Sequence, residues 1–178
     1  MVTLNLSNAW KALCKKFLER NFLEGEIPRE IGDLRYLTIL DLQINQLSGS
    51  IPPSIFNITT MHVIDLTENN LIGNLPITIC DHLPDLKGLY LRKNSLDGVI
   101  PPNLEKCRKL QKLELGDNEF IGTLPRELAN LTALTYLYIS DLHLKGSMKF
   151  SSFSLFQQNL ELMIYFLKID RWDTNGVR

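Results

Sequence analysis

The stretch from Leu86 to Pro101 constrains the chain more than any other, because its apolar residues follow neither a helical nor a plain strand period. With Asn94 as origin, leucine stands at −8 (Leu86), −5 (Leu89), −3 (Leu91) and +2 (Leu96), isoleucine at +6 (Ile100), glycine at +4 (Gly98) and proline at +7 (Pro101). The slots refill around Asn45 with Leu37, Leu40, Leu42, Leu47, Gly49, Ile51 and Pro52. Around Asn69 they hold Met61, Ile64, Leu66, Leu71, Gly73, Leu75 and Pro76, and around Asn118 Leu110, Leu113, Leu115, Phe120, Gly122, Leu124 and Pro125. The origins (45, 69, 94, 118) lie 24, 25 and 24 residues apart. A period of that length means that one unit cannot bury its apolar side alone, so successive units must stack.

Each residue type has a physical task. L-x-L is a short strand whose leucines point inward while alternate residues face solvent. The Asn stands where the chain leaves the strand, and a ladder of amides (Asn21, Asn45, Asn69, Asn94, Asn118) can satisfy backbone groups that would otherwise be buried without partners. Glycine at +4 relieves steric limits, and proline at +7 fixes φ and removes a donor. Short helical or 3₁₀ turns are expected over 29–34, 54–58, 77–83, 103–107 and 126–131, with a bulge from the extra residue near Cys80–Pro84.

The L-x-G-x-[IL]-P endings in 47–52, 71–76 and, with Phe120 in the leucine slot, 120–125 resemble the plant-specific class of leucine-rich repeats. The stretches I-P-P-S-I-F-N-I-T-T-M, N-L-P-I-T-I-C-D-H-L-P-D-L and G-T-L-P-R-E-L-A-N-L-T look closer still to one group of plant receptor-like serine/threonine kinase ectodomains, the group with receptors for flagellin and elongation-factor peptides. The resemblance covers roughly residues 20–148. It implies an α/β solenoid: a right-handed leucine-rich-repeat coil of about five turns, with a parallel sheet on the concave face and irregular turns outside. It also implies an extracellular or plasma-membrane setting, a peptide or protein ligand, and a co-receptor that docks beside it.

Composition narrows the rest. One domain is expected from 178 residues, and an apolar content of 44% suits a packed chain. A net charge of −1 without a basic block gives nucleic-acid binding no support. No apolar run reaches the ~20 residues of a membrane span, and no basic n-region precedes an apolar h-region. Family members carry both a signal and a span, so the chain is expected to be a fragment or truncated product. His62, His82 and His143 fall in unrelated slots, and no kinase glycine loop, catalytic loop or D-F-G is present. No enzyme activity, cofactor or metal is expected.

Three segments are expected: a degenerate N-terminal cap or partial repeat over 1–20, the repeat domain over 21–148, and a non-repeat tail over 149–178. Val2–Ser7 looks like the strand of a first repeat, but no G-x-I-P ending follows. Lys16 occupies a leucine slot, so a lysine would meet the core or the strand is absent; Trp10, Leu13, Phe17 and Leu18 would alternatively share one side of a short helix. In 134–148 the register persists while Leu142 replaces the ladder Asn. Phe153, Phe156, Leu160, Ile164 and Leu167 suit one helix face in a tail that either caps the last coil or has little order.

Binding residues are sought in the solvent-facing strand columns. At −4 these are Asp41, Asp65, Tyr90, Glu114 and Tyr138; at −6 Ile39, Val63, Gly88, Lys112 and Tyr136. At −2 they are Gln43, Thr67, Arg92, Gly116 and Ser140; at −1 Ile44, Glu68, Lys93, Asp117 and Asp141. Tyr90, Arg92, Tyr136 and Tyr138 are of the types that dominate interfaces. Glu68, Glu114 and Asp117 would meet either a basic ligand or Arg92 and Lys93, the second choice being a solvated face whose charges neutralise across coils. Sequons at Asn5, Asn57 and Asn130 are candidate glycan sites. Cys107 takes an inward slot and reads as a buried thiol, with a Cys80–Cys107 bridge as the alternative; Cys14 is expected to be unpaired. Beside the receptor-ectodomain function stand two rivals: a soluble inhibitor similar to the plant proteins that block polygalacturonases, and a non-functional remnant.

Overall fold

The computed structural model describes residues 2–3, 15–139 and 143–144. Six three-residue strands, Lys15–Phe17, Ile39–Asp41, Val63–Asp65, Gly88–Tyr90, Lys112–Glu114 and Tyr136–Tyr138, form one parallel sheet in chain order. Its register is regular. Leu40 aligns with Ile64, Ile64 with Leu89, Leu89 with Leu113 and Leu113 with Leu137, so every −5 residue shares one inward row. The −6 and −4 residues therefore share the outward face. All these apolar side chains are buried in one continuous core, which Met61, Leu86, Leu110 and Leu134 close from the −8 slot.

Each strand ends in a sharp turn. Arg20, Ile44, Glu68, Lys93 and Asp117, the −1 residues, all have φ between 52° and 56°. The −1 column is thus not a strand column, as the periodicity suggested, but a row of left-handed corners. After the corner the chain enters a second parallel sheet, of Val2–Thr3, Leu23–Glu26, Gln46–Ser50, Asn70–Asn74 and Ser95–Asp97. A bridge from Val99 leads on to Ile121–Gly122, which pairs with His143–Leu144. This sheet replaces the irregular turns expected there. The +2 residue points inward (Leu47, Leu71, Leu96, Phe120, all buried), so the segment alternates as a strand must, over too few residues to be read from sequence. The +4 glycine bends the strand again with positive φ, and the preceding coil lies across it. A Cβ on Gly49 would sit 2.8 Å from Glu26 Cγ, and one on Gly98 2.9 Å from Asn74 Cβ.

The prolines start the third side. Pro28, Pro52, Pro101 and Pro125 precede 3₁₀ helices at Arg29–Asp33, Pro53–Asn57, Pro102–Lys106 and Arg126–Asn130. Each proline carbonyl accepts from the residue three on, and Ile31, Ile55, Leu104 and Leu128 plug the core from that turn. The 77–83 segment differs: the extra residue converts the helix into consecutive turns. There Cys80 is joined to Cys107 of the next coil, Sγ–Sγ 2.06 Å, so the inward slot of Cys107 holds half a cystine and not a free thiol. The bulge brings Cys80 inward to 4% exposure, against the buried Cys107.

The N-terminal coil decides one alternative and corrects one expectation. Lys15–Phe17 is a strand, with Lys16 opposite Leu40, so the strand is present and Phe17 is not helical. Val2–Thr3 pairs with Leu23–Glu24, so it is a strand of the second sheet and not the first-sheet strand of a repeat. Pairing in the six-stranded sheet thus reaches back to Lys15, ahead of the boundary drawn at 21. Trp10, Leu13, Cys14 and the 149–178 tail lie outside the described residues.

Candidate functional site

The asparagine amides stitch coil to coil. Asn118 Nδ2 donates to Leu91 O (2.9 Å) in the preceding coil and to Leu115 O (2.9 Å) in its own, while Oδ1 accepts the Leu96 N–H (3.0 Å). Asn45, Asn69 and Asn94 repeat this pattern. Asn21 does not: it is exposed, and its amide donates to Glu19 O. The ladder holds the outward columns in register.

On that outward face the −4 column runs Asp41, Asp65, Tyr90, Glu114, Tyr138 across adjacent strands. Strand spacing puts neighbours in the column about 4.8 Å apart at the backbone. Asp41 is 8% exposed and its carboxylate accepts from Gln43 N (3.2 Å) and Gln43 Nε2 (3.3 Å); the same amide reaches Glu19 (3.1 Å). Burial raises the pKa of Asp65 against the Thr67 hydrogen bonds that lower it, and Asp41 and Glu19 add repulsion. Burial also raises Glu114, with Asp65 adding to it, and raises Tyr90, with Glu114 and Asp65 adding. Three half-buried acidic groups therefore crowd the centre of the face.

The cations beside them are engaged. Arg92 Nε donates to Asp117 Oδ2 at 2.7 Å, and its guanidinium lies 4.6 Å from the centroid of the Tyr138 ring. Burial works against the Arg92 charge, yet the Asp117 hydrogen bond, Tyr138 and the neighbouring carboxylates leave its pKa raised. Lys93 pairs with Glu68 at 2.8 Å. So Arg92, Lys93, Glu68 and Asp117 satisfy one another across coils, while Tyr90, Glu114, Tyr136 and Tyr138 stay on the solvent side of the sheet. Asp141 and Ser140 lie outside the described residues, as does Asn5. Asn57 and Asn130 are exposed at the ends of their 3₁₀ helices, and Asn130 Nδ2 donates to Glu105 of the preceding coil.

Sequence reasoning passed over Gly88. It is the one glycine of the −6 column, and the Tyr90 ring folds back over it: a Cβ there would lie 2.6 Å from Tyr90 Cε2. The gap in an otherwise side-chain-bearing column was the available signal.

Two family models match, both described as leucine rich repeat, one over residues 59–120 and 84–144 and the other over 36–58. The protein is a leucine-rich-repeat solenoid. No curated protein sequence matches it. Among solved structures, the plant peptide hormone receptor RGFR1 in complex with RGF2 is similar at TM-score 0.80 and 34% identity, over 86% of this chain and 24% of that one. The ectodomain of the Arabidopsis thaliana receptor kinase GASSHO1/SCHENGEN3, in complex with CASPARIAN STRIP INTEGRITY FACTOR 2, gives 0.80 and 31% over 86% and 18%. The Arabidopsis receptor kinase HAESA, with the peptide hormone IDA and the co-receptor SERK1, gives 0.75 and 26% over 85% and 26%. This leucine-rich-repeat chain therefore spans about a quarter or less of each of these three receptor structures. Among the described residues no helix is long and apolar enough to cross a membrane, and no His, Cys, Asp and Glu group could hold a metal ion.

Proposed function

We propose that this leucine-rich-repeat chain recognises a peptide on its six-stranded sheet, as part of the extracellular region of a plant receptor in defence or developmental signalling. The observation that carries this is the outward face itself. Consecutive coils hold tyrosines and carboxylates in straight columns that a peptide could follow, and a ladder of buried amides fixes their spacing. The likeness to RGFR1 and HAESA supports it, since those structures contain the peptides RGF2 and IDA, and in HAESA also the co-receptor SERK1. On this basis the partners are a peptide ligand and a co-receptor, the setting is the outer side of the plasma membrane, and Asn57 and Asn130 carry glycans. The motif likeness over 51–132 favours the flagellin- and elongation-factor-receptor-like group within that class.

The test is capture from a library of synthetic plant-secreted peptides on the immobilised chain. Tyr90→Ala with Tyr136→Ala should remove retention, and Arg108→Ala, on the 3₁₀ side, should preserve it. Arg92 is unsuited to this test because its loss would free Asp117 and uncover Tyr138. Equal retention by all three proteins would refute the face assignment.

A further inference from the structure

Tyr90 does not stand up from the sheet. Its ring lies back along its own strand over Gly88, where a Cβ would meet Cε2 at 2.6 Å and both Cζ and Oη at 3.2 Å. The ring thereby becomes a floor in the −4 and −6 columns. Asp65 and Glu114 flank it from the adjacent strands, each one register step away. Asp65 accepts from Thr67, from its N–H at 3.0 Å and from its side chain. Among the described residues no cation is ion-paired with either carboxylate. Each of the two raises the pKa of Tyr90, and Asp65 raises that of Glu114, which Arg92 and Lys112 lower from a distance without pairing with it.

Two column positions further on, the same ingredients appear already filled. Tyr138 has a guanidinium over its ring at 4.6 Å, and that guanidinium donates to Asp117 at 2.7 Å. The sheet thus displays what a tyrosine of this column and a nearby carboxylate hold: a flat cation whose face stacks on the ring and whose edge donates to an oxygen. Arg92 cannot also serve Tyr90, because Asp117 and Tyr138 already hold it. At Tyr90 the floor and two flanking carboxylates are present, and although Lys112 stands opposite Gly88, neither carboxylate is ion-paired among the described residues.

We infer that Tyr90, Asp65 and Glu114 form a subsite for an arginine side chain of a peptide bound along the sheet, and that Gly88 is required because it lets the tyrosine lie flat. This deepens the peptide-recognition proposal and rests on it. A guanidinium fits better than an ammonium: it is planar, stacks on aromatic faces and offers several donors, enough for carboxylates on opposite sides.

The experiment is an NMR titration of the full-length chain with ring-labelled tyrosine. The probes are N-acetyl-arginine amide, the lysine analogue and the uncharged citrulline analogue. The arginine amide should shift the Tyr90 ring signals and saturate in the millimolar range. The lysine amide should bind several-fold more weakly, and the citrulline amide should leave Tyr90 unmoved. Glu114→Gln should weaken the arginine response at least tenfold. Gly88→Ala should do the same without removing any charge. Its φ lies outside the left-handed region, so alanine is tolerated, and the unfolding midpoint should stay near wild type while the ring is displaced. A Tyr90 ring indifferent to arginine amide would overturn the subsite, as would an equal response to citrulline or lysine, or an undiminished response in Gly88→Ala. The peptide capture separates the two proposals: arginine-free peptides held by wild type and lost with Tyr90→Ala/Tyr136→Ala would keep the face and reject the arginine subsite.

Discussion

The ladder asparagines make a sharp stability prediction, because the chain contains both a buried rung and an exposed one. Asn118 is 4% exposed, and its amide accepts from Leu96 N–H and donates to Leu91 O and Leu115 O. Asn118→Ala leaves that N–H and those two carbonyls without this partner. A buried unsatisfied group costs about 1–3 kcal/mol, and carbonyls with a second lone pair fall at the low end, so the loss should be about 3–4 kcal/mol. For a chain of this size that corresponds to a fall in Tm of about 10 °C. Asn21→Ala removes one exposed hydrogen bond, to Glu19 O, and should cost less than about 0.5 kcal/mol. Denaturant titration of both variants beside wild type measures the difference. If Asn118→Ala came within 1 kcal/mol of Asn21→Ala, the ladder would not be what joins the coils.

Other predictions follow from the same geometry. Replacing Cys80 and Cys107 together by serine opens a 27-residue separation and should cost about 3–4 kcal/mol on the loop-entropy model, read as the same loss of stability that reductant causes in wild type. Glu114 holds its proton more tightly when folded, so its carboxyl favours the fold at low pH, and that contribution is lost as pH rises from the ordinary carboxylate value through the raised native one. Glu114→Gln should therefore raise the melting temperature at pH 7 and change little at pH 3, and a gain of equal size at both would contradict the assignment. Ile44, β-branched at φ 55°, should be relieved by Ile44→Asn, raising stability by about 1 kcal/mol in denaturant titration. Expressed through a secretory pathway, the chain should lose one glycosidase-sensitive mass step with Asn57→Gln and another with Asn130→Gln.

The repeat, the six-stranded sheet and its register were legible because leucine, or Met61 and Ile64 in its place, recurs at −8, −5 and −3 in four units, and one slipped residue would turn every strand inside out. The second sheet was not legible. Its strands, such as Gln46–Ser50, carry one inward leucine each and are interrupted by a glycine, so no local period marks them. The cystine was half visible: Cys107 was placed inward, but only the path of the bulged 77–83 turn decides where Cys80 points. At the face, the columns predicted which residues would be neighbours. They left open whether Asp117 and Glu68 would meet a ligand or Arg92 and Lys93, since side-chain pairing depends on rotamers, and they predicted neither the stacking of Arg92 on Tyr138 nor that Gly88 would let Tyr90 lie down.

The amide ladder has a direction. From Asn45 to Asn118 each asparagine takes the Leu N–H of the coil before it and gives one N–H back to a carbonyl of that coil, so a coil is completed by its successor. The two ends of the molecule are consequently unequal towards shortening. Removing a coil from the N-terminal side leaves an amide that water can serve, as at Asn21. Removing one from the C-terminal side strands main-chain groups on the coil that remains, and after Asn118 the next slot holds Leu142, which has no amide to offer. Gene duplications that lengthen such a protein would keep every junction sound if they insert whole periods. Truncations would be better borne at the beginning of the array than at its end.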